Sequence, residues 1–415
     1  MLFRLRQLAL AALTANALRP LPGFRAGVLA FGAGGLTTEL APHLVALAAA
    51  DAATHASGRR RDPVGLALAG ASTAGLLLLV DQARRVREHV EEALVEGLGV
   101  DYVEQLDAAP TPADLALPWR SLVNPFRHRT EGVEVHRDVA YAPEHGRRGL
   151  LDVYTPAGGA PGGAPVLLQV HGGGWSFGSK DGQGIPLMLH LAAKGWVCVA
   201  INYRLSPRDA WPAHIVDVKR AIAWIREHIE EYGGDPSYLA ITGGSAGGHL
   251  TALAALTPGD PAWQPGFEDA DTTVQVAVPH YGVYDFAGST GQRGAELMRD
   301  LFLAPRVLQR RWREAPEQFE AATPLLRITE DAPDFFVLHG VRDTLVAVEQ
   351  ARLFVARLRE GSRRSVVYAE LPGAQHAFDV FPSIRSAHVV RAIDRYLHWH
   401  WNTWRADRAA TQERA

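Results

Sequence analysis

At 415 residues the chain is long enough for two or three domains, and 47% apolar with 21% charged residues excludes a disordered or fibrous polypeptide. A net charge of −3 gives no electrostatic reason to expect nucleic acid as a partner. The single cysteine, Cys198 in the apolar run WVCVAIN, excludes an intrachain disulfide and a cysteine-held zinc and reads as a core residue.

Residues 1–120 are rich in alanine and leucine and poor in strand signals. Between Arg25 and Asp51 the only charge is Glu39, although Pro42 and His43 also interrupt the run. Pro63 to Val80 is uncharged and ends in GLLLLV; as a helix it would span about 27 Å, close to the thickness of a bilayer's hydrocarbon core. The link DAATHASGRRRD is polar and basic, as the turn of a helical hairpin would be. The expectation is therefore a transmembrane hairpin over about 26–50 and 63–80, anchoring the chain to the lipid bilayer. The competing reading is an alanine-rich helical cap over the following domain. Arginines lie before the hairpin, within its turn and after it, an arrangement that favours both ends on the cytoplasmic side. The start MLFRLRQLALAALTANA also fits a very short signal peptide, whose removal would export the remainder. QARRVREHVEEALVEGL reads as a surface helix and ADLALPWRSLVNPF as an irregular linker. If the hairpin is only an anchor, a chain beginning near residue 125 should fold alone.

From about 130 to 404, strand-like and helix-like segments alternate. VEVHRDVAY and GLLDVYTP are candidate outer strands. APVLLQVHG, WVCVAINYR, YLAITGG, VQVAVPHYG, DFFVLHG and SVVYAELPG are short apolar runs bounded by glycine or proline. Helical patterns separate them: IPLMLHLAAKG, HIVDVKRAIAWIREHIEEYG, AGGHLTALAALT, VEQARLFVARLREG and IRSAHVVRAIDRYLHWH. Buried runs alternating with helices predict an α/β domain, a mostly parallel sheet with helices on both faces. The helical stretch between VQVAVPHYG and DFFVLHG is a candidate lid over the site, and the charged tail 405–415 is expected to fray.

In such sheets, sites form where strands end. Ser245 stands in G-G-S-A-G, at the turn from YLAITGG into a helix, where flanking glycines allow a sharp bend that exposes the hydroxyl. The pattern alone is weak; its place between strand and helix gives it weight. A serine nucleophile needs a base, and the base needs a partner to hold its tautomer. Asp343 follows DFFVLHG and His376 follows the last strand, so the chain order Ser245, Asp343, His376 is that of a nucleophile-elbow hydrolase. Asp379 is a reserve acid. Three consecutive glycines in HGGGW, residues 171–175, let backbone N–H groups approach a developing oxyanion; Gly173, Gly174 and Ala246 are the candidate donors. A phosphate loop is excluded, because no G-x-x-x-x-G-K-S/T occurs. Trp175, Phe177, Tyr203, Tyr281 and Tyr284 lie near strand ends and suit packing as well as a pocket.

Taken together, HGGGW, NYRLSP, GGDPSYLAITGGSAGG, HGVRDTLV and GAQHAF resemble the α/β-hydrolase carboxylesterases, and within them the hormone-sensitive-lipase-like and bacterial feruloyl-esterase-like branches. The resemblance covers roughly residues 130–404. It implies the α/β-hydrolase fold, with Ser245 as nucleophile, His376 as general base and then acid, Asp343 as orienting carboxylate, and Gly173, Gly174 and Ala246 as the oxyanion hole. One position departs: the lipase-like branch usually has aspartate before the nucleophile, and here Gly244 stands there. Some actinobacterial members are similar in carrying an N-terminal apolar hairpin.

The leading expectation is a membrane-associated serine carboxylesterase acting on small or medium acyl esters through an acyl-enzyme, with a small-molecule ester as its partner. An amide hydrolase of arylformamidase or peptidase type would use the same three residues. A non-catalytic, membrane-tethered binding domain would not need them all. No cofactor and no metal are expected: His398 and His400, two apart on a helix, point to different faces. The sequence leaves the oligomeric state open.

Overall fold

The computed structural model describes residues 2–21, 24–58 and 62–413. Eight strands, β1 (Val133–Ala140), β2 (Leu150–Pro156), β3 (Ala164–Val170), β4 (Val197–Ile201), β5 (Gly234–Gly244), β6 (Val276–His280), β7 (Asp334–Gly340) and β8 (Val366–Leu371), form one sheet in the order β1-β2-β4-β3-β5-β6-β7-β8. The two outer strands β1 and β2 run antiparallel, β2 is antiparallel to β4, and every other neighbouring pair is parallel. The strands fall where the apolar runs predict them.

The central strands are apolar on both sides because both faces are covered. Val166, Leu168 and Val170 of β3 face one core, which contains α8 (Ala213–His228), α9 (Ala246–Leu256) and α12 (Val348–Gly361). Leu167 of β3, with Cys198 of β4, faces the other, which contains α7 (Ile185–Ala192) and α13 (Ile384–Gln412). Each Val, Leu or Ile so buried contributes roughly 1.5–3 kcal/mol. Helix α13 continues through Gln412, so most of the tail expected to fray is helical.

Among the described residues four long helices precede the sheet: α1 (Leu2–Leu18), α2 (Phe24–Glu39), α3 (Ala41–Ala56) and α4 (Pro63–Leu98). The short α5 (Pro112–Leu115) and α6 (Trp119–Val123) lie in the expected linker. Three expectations change here. The apolar run 63–80 and the surface helix 82–98 are one helix, α4, about 54 Å long. Its second half buries Val86, Val90, Ala93 and Leu94, at helical spacing, in the same core as α7 and α13. The expected first arm, 26–50, is not one helix: it divides at Leu40, where Pro42 follows, into α2 and α3.

Helices α1, α3 and the first half of α4 pack side by side through Ala17, Ala41, Leu76 and Leu79. At Gly75 a Cβ would stand 2.6 Å from Thr14 Cγ2, so the small residue sets the α1–α4 approach. Ion pairs Arg4–Asp62 at 2.8 Å and Arg6–Asp51 at 2.6 Å join the three helices at their far end. Helix α2 instead lies on the domain: Thr344 Oγ1 donates to Gly27 O at 2.8 Å, and the carboxylate of Glu39 meets the buried guanidinium of Arg385 and accepts from Ser383 Oγ at 2.6 Å.

Candidate active site

β5 ends at Gly244, and α9 starts at Ala246. Between them Ser245 has φ 60° and ψ −120°, a conformation that costs a non-glycine residue about 1–3 kcal/mol. Its neighbours hold it there. The Ser245 N–H donates to His280 O at 3.0 Å, and the Ser245 carbonyl accepts from His249 N at 2.9 Å. A Cβ on Gly247 would lie 2.1 Å from Val170 O, so glycine is required for α9 to start so close to β3.

Asp343 follows β7 in the loop that precedes α12. Its Oδ1 accepts from the N–H groups of Leu345 and Val346, both at 2.8 Å, and its Oδ2 lies 2.6 Å from His376 Nδ1. His339 Nε2 is 3.3 Å from the same Oδ2. Burial alone would push this carboxyl up; His376 and His339 outweigh it and hold the group well below the usual carboxylate range. Asp343 is thus an anion facing His376. The His376 ring is buried between Tyr281, at 4.6 Å between centroids, and Phe31 of α2, edge-on at 5.7 Å.

Of the three residues expected to act together, the acid and the base are in direct contact. The Ser245 hydroxyl makes no hydrogen bond to His376 among the described residues; nucleophile–base contacts often tighten only when substrate binds. Asp379 pairs with His280 and Tyr281 and not with His376, so it is no reserve for Asp343.

In the glycine loop, Gly172 N–H donates to Gln183 Oε1, and Ser176 N donates to Gly173 O at 3.0 Å. Gly173 and Gly174 have φ of 112° and 55°, conformations that favour glycine. Their N–H groups have no partner among the described residues, and the N–H of Ala246 belongs to the unpaired first turn of α9. These three amides are free to meet an anion. His171 stacks on Tyr203 at 4.3 Å, and Tyr203 Oη donates to His171 O at 2.8 Å, which fixes the start of the loop.

The stretch 285–328, the candidate lid, folds into α10 (Arg293–Met298), a π-helical segment over Arg299–Leu308, and α11 (Pro316–Ala321). Phe302 of the π-helical segment reaches Gly174, with its Cζ 3.1 Å from the position of a Cβ there. The other aromatics divide as follows: Trp175 packs edge-on against His249 and Phe286, Tyr284 stacks on Phe354 at 4.2 Å, and Phe177 is exposed. Missed at the sequence level were Phe31, whose helix was assigned to the bilayer, and Gln183, which carries no local signal.

The BD-FAE family matches residues 151–358. The probable carboxylic ester hydrolase LipM of Mycobacterium tuberculosis is 49% identical over 341 residues, covering 80% of this chain and 76% of its own length. Esterase LipQ of the same organism is 47% identical, covering 76% and 75%. Among solved structures, esterase 2 of Thermogutta terrifontis with butyrate bound superposes with a TM-score of 0.53 at 26% identity, covering 65% of this chain and 94% of that one. Esterase B of Lactobacillus rhamnosis, at 18% identity and a TM-score of 0.56, shares the fold. With the family matched over half the chain and relatives near 50% identity, the chain belongs to the BD-FAE family and is a carboxylic ester hydrolase of α/β-hydrolase fold.

Proposed function

We propose that this esterase is a serine hydrolase cleaving carboxylic esters of small or medium acyl chain through an acyl-enzyme. Ser245 attacks the carbonyl carbon while His376 takes the hydroxyl proton and then gives it to the leaving alcohol; water attacks the acyl-enzyme by the same route in reverse. Asp343 holds the His376 ring by Nδ1–H and stabilises the imidazolium that forms. The N–H groups of Gly173, Gly174 and Ala246 receive the oxyanion. The observations that carry this reading are the 2.6 Å contact between Asp343 and His376 and the strained strand-to-helix turn that holds Ser245.

We also infer contact with a lipid bilayer through α1, α3 and the first half of α4. Leu2, Leu5, Leu8, Leu13, Leu47, Val64, Leu77 and Leu78 are exposed on these helices. Among the described residues, α4 is the one helix long and apolar enough to cross a membrane. Leucines turned outward from helices that meet through small residues suit a lipid solvent.

One preparation tests both. Detergent-solubilised protein should be labelled by a fluorophosphonate at Ser245, Ser245→Ala should abolish labelling and ester turnover, and the protein should float with phospholipid vesicles once detergent is removed. A p-nitrophenyl ester series of rising chain length, with a formanilide beside it, reads the acyl preference. Folded wild type that hydrolyses esters without labelling at Ser245 overturns the serine mechanism. Protein that stays dispersed in buffer, away from vesicles, overturns the bilayer contact.

A further inference from the structure

The residue before Ser245 is glycine where the lipase-like pattern has aspartate, and the packing explains it. A Cβ on Gly244 would lie 2.4 Å from Tyr281 Oη and 2.7 Å from Gln183 Nε2, so any side chain there would displace both. Those two atoms belong to a buried run of hydrogen bonds. Gln183 Nε2 donates to Tyr281 Oη at 2.7 Å, and Gln183 Oε1 accepts the Gly172 N–H. The Tyr281 hydroxyl donates to one oxygen of Asp379, whose other oxygen lies 2.7 Å from His280 Nδ1. The His280 carbonyl accepts the Ser245 N–H.

The direction of every bond follows from the carboxylate. An ionised Asp379 only accepts, so Tyr281 must donate to it; Tyr281 oxygen then accepts from the Gln183 amide nitrogen, and the Gln183 carbonyl is left facing Gly172. Burial pushes the Asp379 carboxyl up, but the hydrogen bond and charge of His280, with the Tyr281 hydroxyl, outweigh it and keep the group below its usual range. Tyr281 also has φ 37°, a costly conformation held by its N–H donating to Leu338 O at 2.7 Å. A loop of three glycines has more freedom to lose than any other tripeptide, so it needs an anchor.

We propose that Gln183, Tyr281 and Asp379 are positioning residues of the esterase reaction, tying the glycine loop at Gly172 to the turn that carries Ser245 across the space left open by Gly244. They fix the amides of Gly173 and Gly174 relative to the attacking oxygen. The inference rests on the serine mechanism proposed above.

The test compares full-length wild type, Tyr281→Phe, Gln183→Met and Asp379→Asn for p-nitrophenyl butyrate turnover and for affinity toward a trifluoromethyl ketone, whose hemiketal with Ser245 needs the oxyanion site. Each variant should lower kcat about tenfold to a hundredfold with KM within about twofold, and weaken the ketone by the factor lost in kcat/KM. Wild-type kcat and ketone affinity in the folded variants overturn the inference. So does a raised KM at unchanged kcat, which would make these residues substrate contacts. Wild type that turns over ester without fluorophosphonate labelling at Ser245 instead overturns the serine mechanism, and the positioning role falls with it.

Discussion

In the proposed mechanism Asp343 acts on the reaction through a single proton position. Two backbone amides hold its Oδ1, so the Oδ2 beside it is turned to His376 Nδ1–H. Asp343→Asn keeps the shape but offers an N–H where an acceptor is required, which turns the imidazole to the wrong tautomer. The expected loss is about a thousandfold to ten-thousandfold in kcat with little change in KM, measured on a p-nitrophenyl ester. A loss under tenfold would place the orienting role elsewhere. The places of Ser245, Asp343 and His376 in the fold were legible in the sequence because each lies at or just beyond a strand end, so local pattern and chain order sufficed. Tyr281 was visible only as one aromatic among five near strand ends. Its meaning depends on Gln183 and Asp379, about a hundred residues away on either side, and no local pattern encodes that meeting.

Among the elements, α2 is where composition told half: Val28, Leu29 and Leu36 are exposed, while its other side meets protein. An alanine- and glycine-rich stretch with a single charge reads as lipid-facing, but the same small residues allow close contact with protein. Gly27 would place a Cβ 2.4 Å from Thr344 O, and Gly34 one 3.1 Å from Asn16 Nδ2. Helix α2 therefore rests on the loops that carry Asp343 and His376, and Glu39, the one charge in the run, is there to meet Arg385. Glu39→Gln leaves a buried guanidinium without its anion. The expected cost is about 3–5 kcal/mol of stability, read as a lowered Tm in detergent, and an unchanged Tm would mean the pair is not buried. The same contacts revise the expectation that a chain beginning near residue 125 folds alone. Such a chain lacks the Val86, Val90 and Leu94 ridge that covers β8 and α13, and it exposes Arg385 and the Phe31 side of His376. By contrast, the eight strands and the five long helices between and after them were legible throughout, since their periodicity is set by burial on a sheet that repeats the same rule at every strand.

At the scale of the molecule, the face of the sheet beneath the glycine loop holds three buried histidines that must stay neutral. His171, His214 and His249 sit among Tyr203, Trp211, Trp175 and Phe286. Each has one ring nitrogen without a partner, Nε2 of His171 and Nδ1 of His214 and His249, so an added proton there would be neither solvated nor hydrogen-bonded. Burial lowers their pKa values to about 4, about 3 and about 4. In the unfolded chain the same groups titrate near 6.5. Above that value both states are neutral and the histidines contribute no pH dependence. Below it the unfolded chain binds protons that the folded chain refuses, so stability falls as the pH drops from about 6.5 toward 4. With three such groups the slope approaches three protons, on the order of 4 kcal/mol per pH unit. Unfolding followed in denaturant between pH 7 and 4.5 should show this steepening, and His249→Gln should remove close to one proton of it. A free energy that stays flat from pH 6.5 to 5 would mean that these rings reach water in the folded protein, and the support beneath the glycine loop would then be looser than the packing describes.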